Sequence, residues 1–222
     1  MDVKAILLGF DGIIADTNPI IQKAIADHFL ILGYELSDET LKKIEGQDIR
    51  SAINIISDGM NIPLDRNALE EELKDKVHWK IADEAPRLNG VRELLTFARK
   101  RGIAVAVISA ADQHTMHLTL ERMRITGDIA CAMSTSDAAS QHVKGGMRTF
   151  TAGLMGVPVN ECLAVEATIE NIKQSIAEGF KTVALPLNKD ISEVLELDTT
   201  VVTDLDALTR YVKAVLLTNL ER

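Results

Sequence analysis

Residues Val3–Thr17 read VKAILLGFDGIIADT, and this stretch decides the fold. An apolar run ends at Gly9, and a loop that contains Asp11 and Asp16 follows it. A short apolar run bounded by such a turn is typical of a buried strand that ends in a functional loop. Gly9 stands at the end of this strand and has no side chain. The loop therefore lacks a reactive group at its first position.

Short β-rich runs alternate with amphipathic helical stretches along most of the chain, which predicts a parallel sheet covered on both faces. The predicted strands are Lys4–Gly9, Ile103–Ser109, Ile129–Met133, Cys162–Glu166, Lys181–Leu185 and Thr199–Val202. The predicted helices of this part are Val91–Arg101, Gln113–Met123, Met147–Met155, Ile169–Glu178 and Leu205–Leu220. The predicted fold class is therefore α/β, a doubly wound, Rossmann-like parallel sheet.

One segment interrupts this alternation, since helical periodicity without a strand pattern extends from about Pro19 to Ala85. Ser37 precedes one of its helices as a candidate N-cap, and Trp79 is expected to pack against the other helices of the segment. A helical block of this size after the first strand predicts an inserted α-helical cap subdomain. The predicted domains are a core of residues 1–17 and 86–222 and a cap of residues 18–85.

Composition limits the partners. The chain has 222 residues, of which 46% are hydrophobic, and a net charge of −9 that is spread along the sequence. Such a surface repels nucleic acid and anionic lipid, so neither is an expected partner. No apolar run approaches the roughly 20 residues that cross a bilayer, and the N-terminus lacks a basic segment. We therefore expect a cytoplasmic protein in which Cys131 and Cys162 are buried free thiols.

Ligands of an open parallel sheet bind beyond the carboxyl ends of its strands, where the strand order reverses. Asp11 follows the first predicted strand, Ser109 ends the second, and Glu166 ends the fourth. A polar loop after the third strand holds Lys144. The turn after Gly9 adds backbone N–H groups. A hydroxyl, a cation and N–H donors at one edge of the sheet predict an anionic ligand.

This layout resembles the haloacid dehalogenase superfamily, and within it the phosphatases and β-phosphoglucomutases with a small helical cap. The first motif of that family, Asp-x-Asp-Gly-x-x-x-Asp-(Ser/Thr), stands here as GFDGIIADT at residues 9–17. The second motif matches Ser109, the third matches Lys144, and the acidic fourth motif falls on AVEATIEN at residues 164–171. The resemblance spans nearly the whole chain. It implies Mg²⁺ as cofactor and a small phosphorylated molecule or inorganic phosphate as ligand.

The sequence departs from the family at the residues that carry its chemistry. The family's nucleophile, an aspartate that forms an aspartyl-phosphate, aligns with Gly9. A metal-ligand position aligns with Ala167, and a further acidic position with Asn171. Magnesium usually requires one or two carboxylates within an octahedral oxygen shell. These changes remove the nucleophile and weaken the metal site, whereas Asp11 keeps the family's acid/base position.

Three functions stay open at this stage. The first is a catalytically crippled relative of small-molecule phosphatases that still binds phosphate through Ser109 and Lys144. The second is an active Mg²⁺-dependent phosphohydrolase that uses an unusual residue, with Asp11, Glu166 and Glu170 as the candidate metal ligands. Asp11 lies about 6–7 Å along the chain from the nucleophile position, too far for direct replacement. The third is an interaction protein with a vestigial pocket, whose protein partner the sequence does not identify.

Overall fold

The computed structural model describes residues 2–44, 47, 49–84, 89–109, 113–134, 146–186 and 191–217. By its internal contacts the chain forms two compact units, one of Met1–Ala15 with Arg87–Arg222 and one of Asp16–Pro86. Each unit has its own hydrophobic core. The assignment of a core domain and a cap domain remains a prediction. Within the described ranges, no helix is long and apolar enough to cross a membrane.

The first unit is built on a parallel sheet, as the sequence predicts. Its strands, within the described residues, are β1 (Ala5–Gly9), β2 (Ala104–Ser109), β3 (Cys131–Ser134), β4 (Cys162–Glu166), β5 (Lys181–Ala184) and β6 (Thr200–Val201). They lie in the order β3-β2-β1-β4-β5-β6, and every pairing is parallel. The order therefore reverses between β1 and β4, which makes their carboxyl ends the expected ligand position.

Helices flank this sheet, and their bounds lie close to the predicted ones. In the described residues of this unit they are α5 (Val91–Lys100), α6 (Gln113–Arg122), α7 (Met147–Leu154), α8 (Ile169–Ala177), α9 (Ser192–Leu195) and α10 (Leu205–Leu217). The short α9 was not predicted, and the predicted end of α10 at residues 218–220 lies outside the described residues. Strand β3 begins two residues later than predicted: a 3₁₀ turn, Thr126–Asp128, precedes it, and the Ile129 N–H still donates to the Thr126 carbonyl of that turn.

The alternation of side chains along each strand assigns residues to the two faces of the sheet. Ala5 and Leu7 of β1 pack in one cluster with Ala164 of β4, and Ile6 and Leu8 belong to the cluster of the opposite face. Helix α7 packs over β1, β2 and β3 and contributes Ala152 to the first of these clusters. Continuing the alternation by two residues places Gly9 and Glu166 on the α7 face.

The two cysteines differ in burial. Cys162 is buried, as predicted, and burial together with the nearby Glu161 charge raises the pKa of its thiol to about 11. Cys131 is only partly buried because it begins the edge strand β3, so this part of the prediction is wrong. Neither cysteine forms a disulfide bond.

The second unit is helical in its described residues, in agreement with the sequence. It contains α1 (Asn18–Ile31), α2 (Asp38–Ile44), α3 (Ile49–Met60) and α4 (Arg66–Glu84). Ser37 caps α2, since its Oγ accepts the Thr40 N–H at 3.2 Å. Thr17 stands at the N-cap of α1, but its side chain makes no capping hydrogen bond. Trp79 is 75% exposed on α4, so the expectation that it packs against the neighbouring helices is wrong.

A buried histidine makes the stability of this unit sensitive to pH. His28 of α1 is buried, and its Nδ1 lies 2.5 Å from the Lys76 Nζ of α4. Its Nε2 is buried and has no hydrogen-bond partner among the described residues. Burial and the Lys76 charge lower the pKa of His28 below 6.5, against the smaller opposing effect of Glu72. Neutral His28 therefore accepts a hydrogen bond from Lys76, and protonation of the ring opposes the folded state.

Acidification below pH 6.5 is expected to lower the free energy of unfolding of this unit, because the unfolded chain takes up the His28 proton first. The contribution is complete above pH 6.5 and is lost as the pH falls toward the lowered pKa. The His28→Gln variant has no titrating ring at this position, so its free energy of unfolding should fall less on acidification. Chemical unfolding between pH 7.5 and 5 measures the slope, with His117→Gln at an exposed position of α6 as control. Equal slopes in all three proteins would contradict the assignment.

Candidate functional site

The loop after β1 is held by its own backbone. The Phe10 N–H donates to the Ile108 carbonyl at 2.8 Å, and the Phe10 carbonyl accepts from Ile14 at 2.9 Å and from Ala15 at 3.2 Å. Gly12 has a φ of +79° and donates its N–H to the Ala15 carbonyl. The Phe10 N–H is thus bonded to β2 and the other three N–H groups to the turn itself, so the expectation that they bind an anion is wrong for these four. The turn instead fixes the position of Asp11 relative to the carboxyl end of β1.

The structure places most of the predicted site residues at the carboxyl edge of the sheet. Ser109 is 2% exposed at the end of β2, and Glu166 is buried at the end of β4. Asp11 is partly buried in the loop after β1. Ala167 is buried but packs in the cluster of the opposite face. Lys144 lies outside the described residues, so its predicted phosphate contact remains a prediction.

The remaining two predicted positions, Glu170 and Asn171, lie at the start of α8. Thr168 caps this helix, since its Oγ1 accepts the Asn171 N–H at 3.3 Å. Glu170 stands in the first turn and is exposed to solvent. A carboxylate there interacts favourably with the helix N-terminus, which explains its presence without a metal.

Gly9 and Glu166 are in direct contact. The register pairs Leu8 with Val165, so Gly9 and Glu166 are the next neighbours across the β1–β4 boundary. Both are on the α7 face of the sheet, and the Glu166 side chain extends toward β1. A Cβ placed on Gly9 would lie 2.8 Å from the Glu166 Oε2, closer than real Cβ contacts. The space where a nucleophile would begin is therefore filled by this carboxylate.

Arg148 holds the Glu166 carboxylate in this place. The residue lies in the first turn of α7, and its Nε donates to the Glu166 Oε1 at 2.6 Å. Both side chains are almost fully buried, since only 4% and 3% of their surfaces are exposed. The Arg148 Nη1 also donates to the Glu178 Oε1 at 3.3 Å. We call Glu166, Arg148 and Glu178 the carboxylate–guanidinium triad.

A second glycine makes room for the other end of the triad. A Cβ on Gly146, which precedes α7, would overlap the carboxyl group of Glu178. Glu178 is further held by the Thr149 N–H at 3.3 Å and the Thr149 Oγ1 at 3.2 Å. Both carboxylates of the triad therefore occupy space that an adjacent glycine leaves open.

The sequence did not single out Arg148 or Glu178 for this site. An arginine in an eight-residue helix carries no local signal of burial, since arginine is mostly exposed in proteins. The nearest available signal was the pair of glycines, Gly9 and Gly146, at the ends of segments that meet on one face.

Burial dominates the ionisation of Glu166. Desolvation raises the pKa of this carboxyl above its usual 4.5, and the Glu178 charge adds to the effect. The Arg148 guanidinium opposes both, through its charge and through the hydrogen bond. Burial therefore favours the protonated form of Glu166, and Arg148 favours the ionised form.

Among the described residues, the side chains at this edge do not fit a magnesium ion. Gly9 and Ala167 offer no side-chain oxygen, and the Glu166 Oε1 accepts a hydrogen bond from Arg148 at 2.6 Å. Within the residues that the structure describes, no group of three or more His, Cys, Asp or Glu side chains could hold a metal ion. Glu166 and Glu170 are thus engaged elsewhere, one in an ion pair and one at a solvent-exposed helix start.

Two curated relatives show the range of proteins that this chain is similar to. It is 22% identical over 188 residues to the Protein SUPPRESSOR OF QUENCHING 1, chloroplastic, of Arabidopsis thaliana, and the match covers 82% of this chain. The chain spans only 18% of the length of that protein. It is also 22% identical over 189 residues to Hexitol phosphatase B of Escherichia coli K12, with 83% of this chain and 84% of that protein covered.

Solved structures share the fold. The β-phosphoglucomutase of Clostridium difficile superposes with a TM-score of 0.77 at 15% identity, covering 99% of this chain and 100% of that one. CbbY of Rhodobacter sphaeroides, in complex with phosphate, superposes with a TM-score of 0.76 at 15% identity, covering 91% and 95%. The family described as haloacid dehalogenase-like hydrolase matches residues 6–185. These residues include β2 to β5 and all of β1 but Ala5, and the chain therefore belongs to the haloacid dehalogenase-like hydrolase family.

Proposed function

We propose that this protein binds inorganic phosphate or a small phosphorylated molecule and does not turn it over as a phosphatase. The observation that carries the proposal is the end of β1, where Gly9 has no side chain and the Glu166 carboxylate fills the adjacent space. Without an oxygen at this position, no aspartyl-phosphate can form there. In our proposal the buried Glu166, which is paired with Arg148 through Oε1, does not act as a nucleophile in its place.

Related proteins support the ligand class. CbbY of Rhodobacter sphaeroides has been solved with phosphate, and a mutant of that protein with xylulose-(1,5)bisphosphate. A haloacid dehalogenase-family hydrolase of Deinococcus radiodurans has been solved with bound phosphate and sodium. In our proposal Ser109 and Lys144 of this chain contribute a hydroxyl and a cation to the same class of anion. Asp11 occupies the family's acid/base position, but residue 9 provides no nucleophile for it to assist.

Charge balance at the edge of the sheet also favours an anion. An uncompensated Glu166 carboxylate beside the site would repel phosphate, and in a buried setting this repulsion is poorly screened. Arg148 compensates that charge within the protein at 2.6 Å. The removal of acidic side chains at Gly9 and Ala167 lowers the negative charge further. An anion therefore needs less help from a metal here than at a site with all its carboxylates.

Phosphate is expected to bind without Mg²⁺, and p-nitrophenyl phosphate is expected to show no Mg²⁺-stimulated hydrolysis. Lys144→Met should weaken binding by roughly 10–100-fold, the effect of losing one charge-assisted contact. Lys173→Met is the matched control, since Lys173 lies on the exposed surface of α8 and pairs with Glu193. Titration calorimetry with phosphate, with and without MgCl₂, measures the affinity.

Three outcomes would overturn the proposed function or its site. The absence of heat at millimolar phosphate and sugar phosphates would favour a vestigial pocket. Mg²⁺-stimulated hydrolysis that Asp11→Asn abolishes in the purified protein would favour an active phosphohydrolase. Affinity that falls equally in Lys144→Met and Lys173→Met would remove Lys144 from the site.

Removal of the internal cation tests the charge balance. Arg148→Met leaves the buried Glu166 without its partner, and the loss of one member of a buried ion pair costs about 3–5 kcal/mol. The variant raises the Glu166 pKa further, because the opposing guanidinium is gone. Part of the loss should return as the pH falls toward 4.5, since the folded state then binds a proton that the unfolded chain does not. Urea unfolding at pH 8 and pH 5.5 measures both effects.

Arg99→Met is the control for this experiment. Arg99 pairs with Asp128 at 2.8 Å but is 67% exposed, so its removal should cost no more than about 1 kcal/mol at either pH. An equal cost for the two variants, or a cost for Arg148→Met that is independent of pH, would contradict a charged pair at Glu166.

A further inference from the structure

We infer that the carboxylate–guanidinium triad and the two glycines beside it form one interlocked unit, in which Arg148 is the built-in cation of the site and excludes a divalent metal ion. The inference concerns the packing of the site and holds whether or not the site binds phosphate. It assigns to Arg148 a role in metal exclusion, and to Gly9 the role of making space for the triad.

The first step is the space at Gly9. Its φ is not in the left-handed region, so an alanine meets no backbone strain there. The obstacle is the Glu166 Oε2 at 2.8 Å, with the Val165 carbonyl at 3.4 Å behind it. A flexible carboxylate on the surface would move away from a new methyl group. This one is buried and hydrogen-bonded to Arg148, so it can move only by losing its charge partner.

The second step is the position of the cation. Arg148 donates to Glu166 through Nε and to Glu178 through Nη1, so two carboxylates share one guanidinium. The triad carries one net negative charge, and no further carboxylate stands at Gly9 or Ala167 to attract a second cation. A divalent ion that bound Glu166 would lie close to the positive charge of the Arg148 guanidinium. Repulsion and the committed Glu166 oxygen both oppose its binding.

The third step follows from the first two. An aspartate at position 9 alone restores the missing atoms but collides with Glu166, which Arg148 still holds. The nucleophile position and the ion pair are therefore alternatives for the same space. Restoring a metal site should require that Arg148 be replaced as well, so that Glu166 is released to act as a ligand.

A double-mutant cycle tests the interlock with conservative substitutions. Gly9→Ala should lower the Tm by roughly 4–10 °C, as expected when a buried site is overpacked in a chain of this length. The same change should lower the Tm by less than about 2 °C in a Glu166→Ala background, because the obstructing oxygen is absent. Gly153→Ala is the control, since Gly153 is exposed on α7 with nothing within 4 Å of its Cβ position. Its Tm should stay the same or rise.

A metal titration tests the exclusion. In Gly9→Asp/Ala167→Asp, MgCl₂ should give no saturable rise in Tm, because Arg148 still holds Glu166. Adding Arg148→Met leaves three carboxylates that repel one another at the ends of β1 and β4. Mg²⁺ should then raise the Tm by roughly 5 °C when it exceeds its Kd by about 100-fold. This readout requires neither phosphate binding nor activity.

Either experiment can overturn the inference. Equal Tm losses for Gly9→Ala with and without Glu166 would show that the two residues are not interlocked. Equal Mg²⁺ responses with and without Arg148 would show that the guanidinium does not exclude the metal. If the triple variant does not fold, the Gly9→Ala/Glu166→Ala cycle decides the inference alone. Since phosphate is absent from both experiments, their failure is distinguishable from failure of the proposed function.

Discussion

The ion pair between Arg148 and Glu166 is the constraint on which the rest of this site depends. Two charges that are almost fully buried lose their hydration, and only close contact repays that loss. The contact is available because α7 packs on the face of the sheet toward which Glu166 points. It also needs room, which Gly9 provides at the end of β1. The identity of residue 9 is therefore part of a packing problem that involves three separate segments.

The topology of the sheet explains why these segments meet. β1 lies in the middle of the sheet, and the chain adds β2 and β3 on one side before it returns to add β4 on the other. Helix α7 precedes β4 in the chain, and it packs over β1, β2 and β3. The fold thus brings Gly9 and Glu166 into neighbouring strands although they are far apart in the sequence. It also places Arg148, in the first turn of α7, in contact with Glu166.

Much of the fold could be predicted from the sequence, because it depends on local patterns. Apolar runs such as CLAVE gave β4 with both ends correct, and Ser37 was identified as a cap from its position before a charged helix. The same reasoning failed for Trp79, since helical periodicity says which residues share a face and not whether another helix covers it. It also placed the start of β3 two residues too early, because Ile129 and Ala130 continue the apolar run although the pairing with β2 begins at Cys131.

The candidate site was predictable only in part, for a related reason. The first motif identified Gly9 and Asp11, because the positions of a loop are fixed by the strand that precedes it. Arg148 was not found, because its importance comes from a contact with a residue 18 positions away in another element. A single sequence shows that a carboxylate is missing at position 9 but not what fills the space. That question is one of packing, and it needs coordinates.

Under the proposed function, the residues around position 9 distinguish two ways in which a site can lack its nucleophile. A site in which only the nucleophile is missing keeps an empty space at that position. Its remaining carboxylates still repel one another unless a metal ion binds between them. Here the gap at Gly9 is filled to contact distance, and the charge of Glu166 is compensated by a protein side chain. Each part favours the others: the glycine admits the carboxylate, the carboxylate holds the guanidinium, and the guanidinium repels a metal ion. Under the proposed function, the glycine at position 9 is thus part of an exchange of one charged centre for another rather than of simple decay.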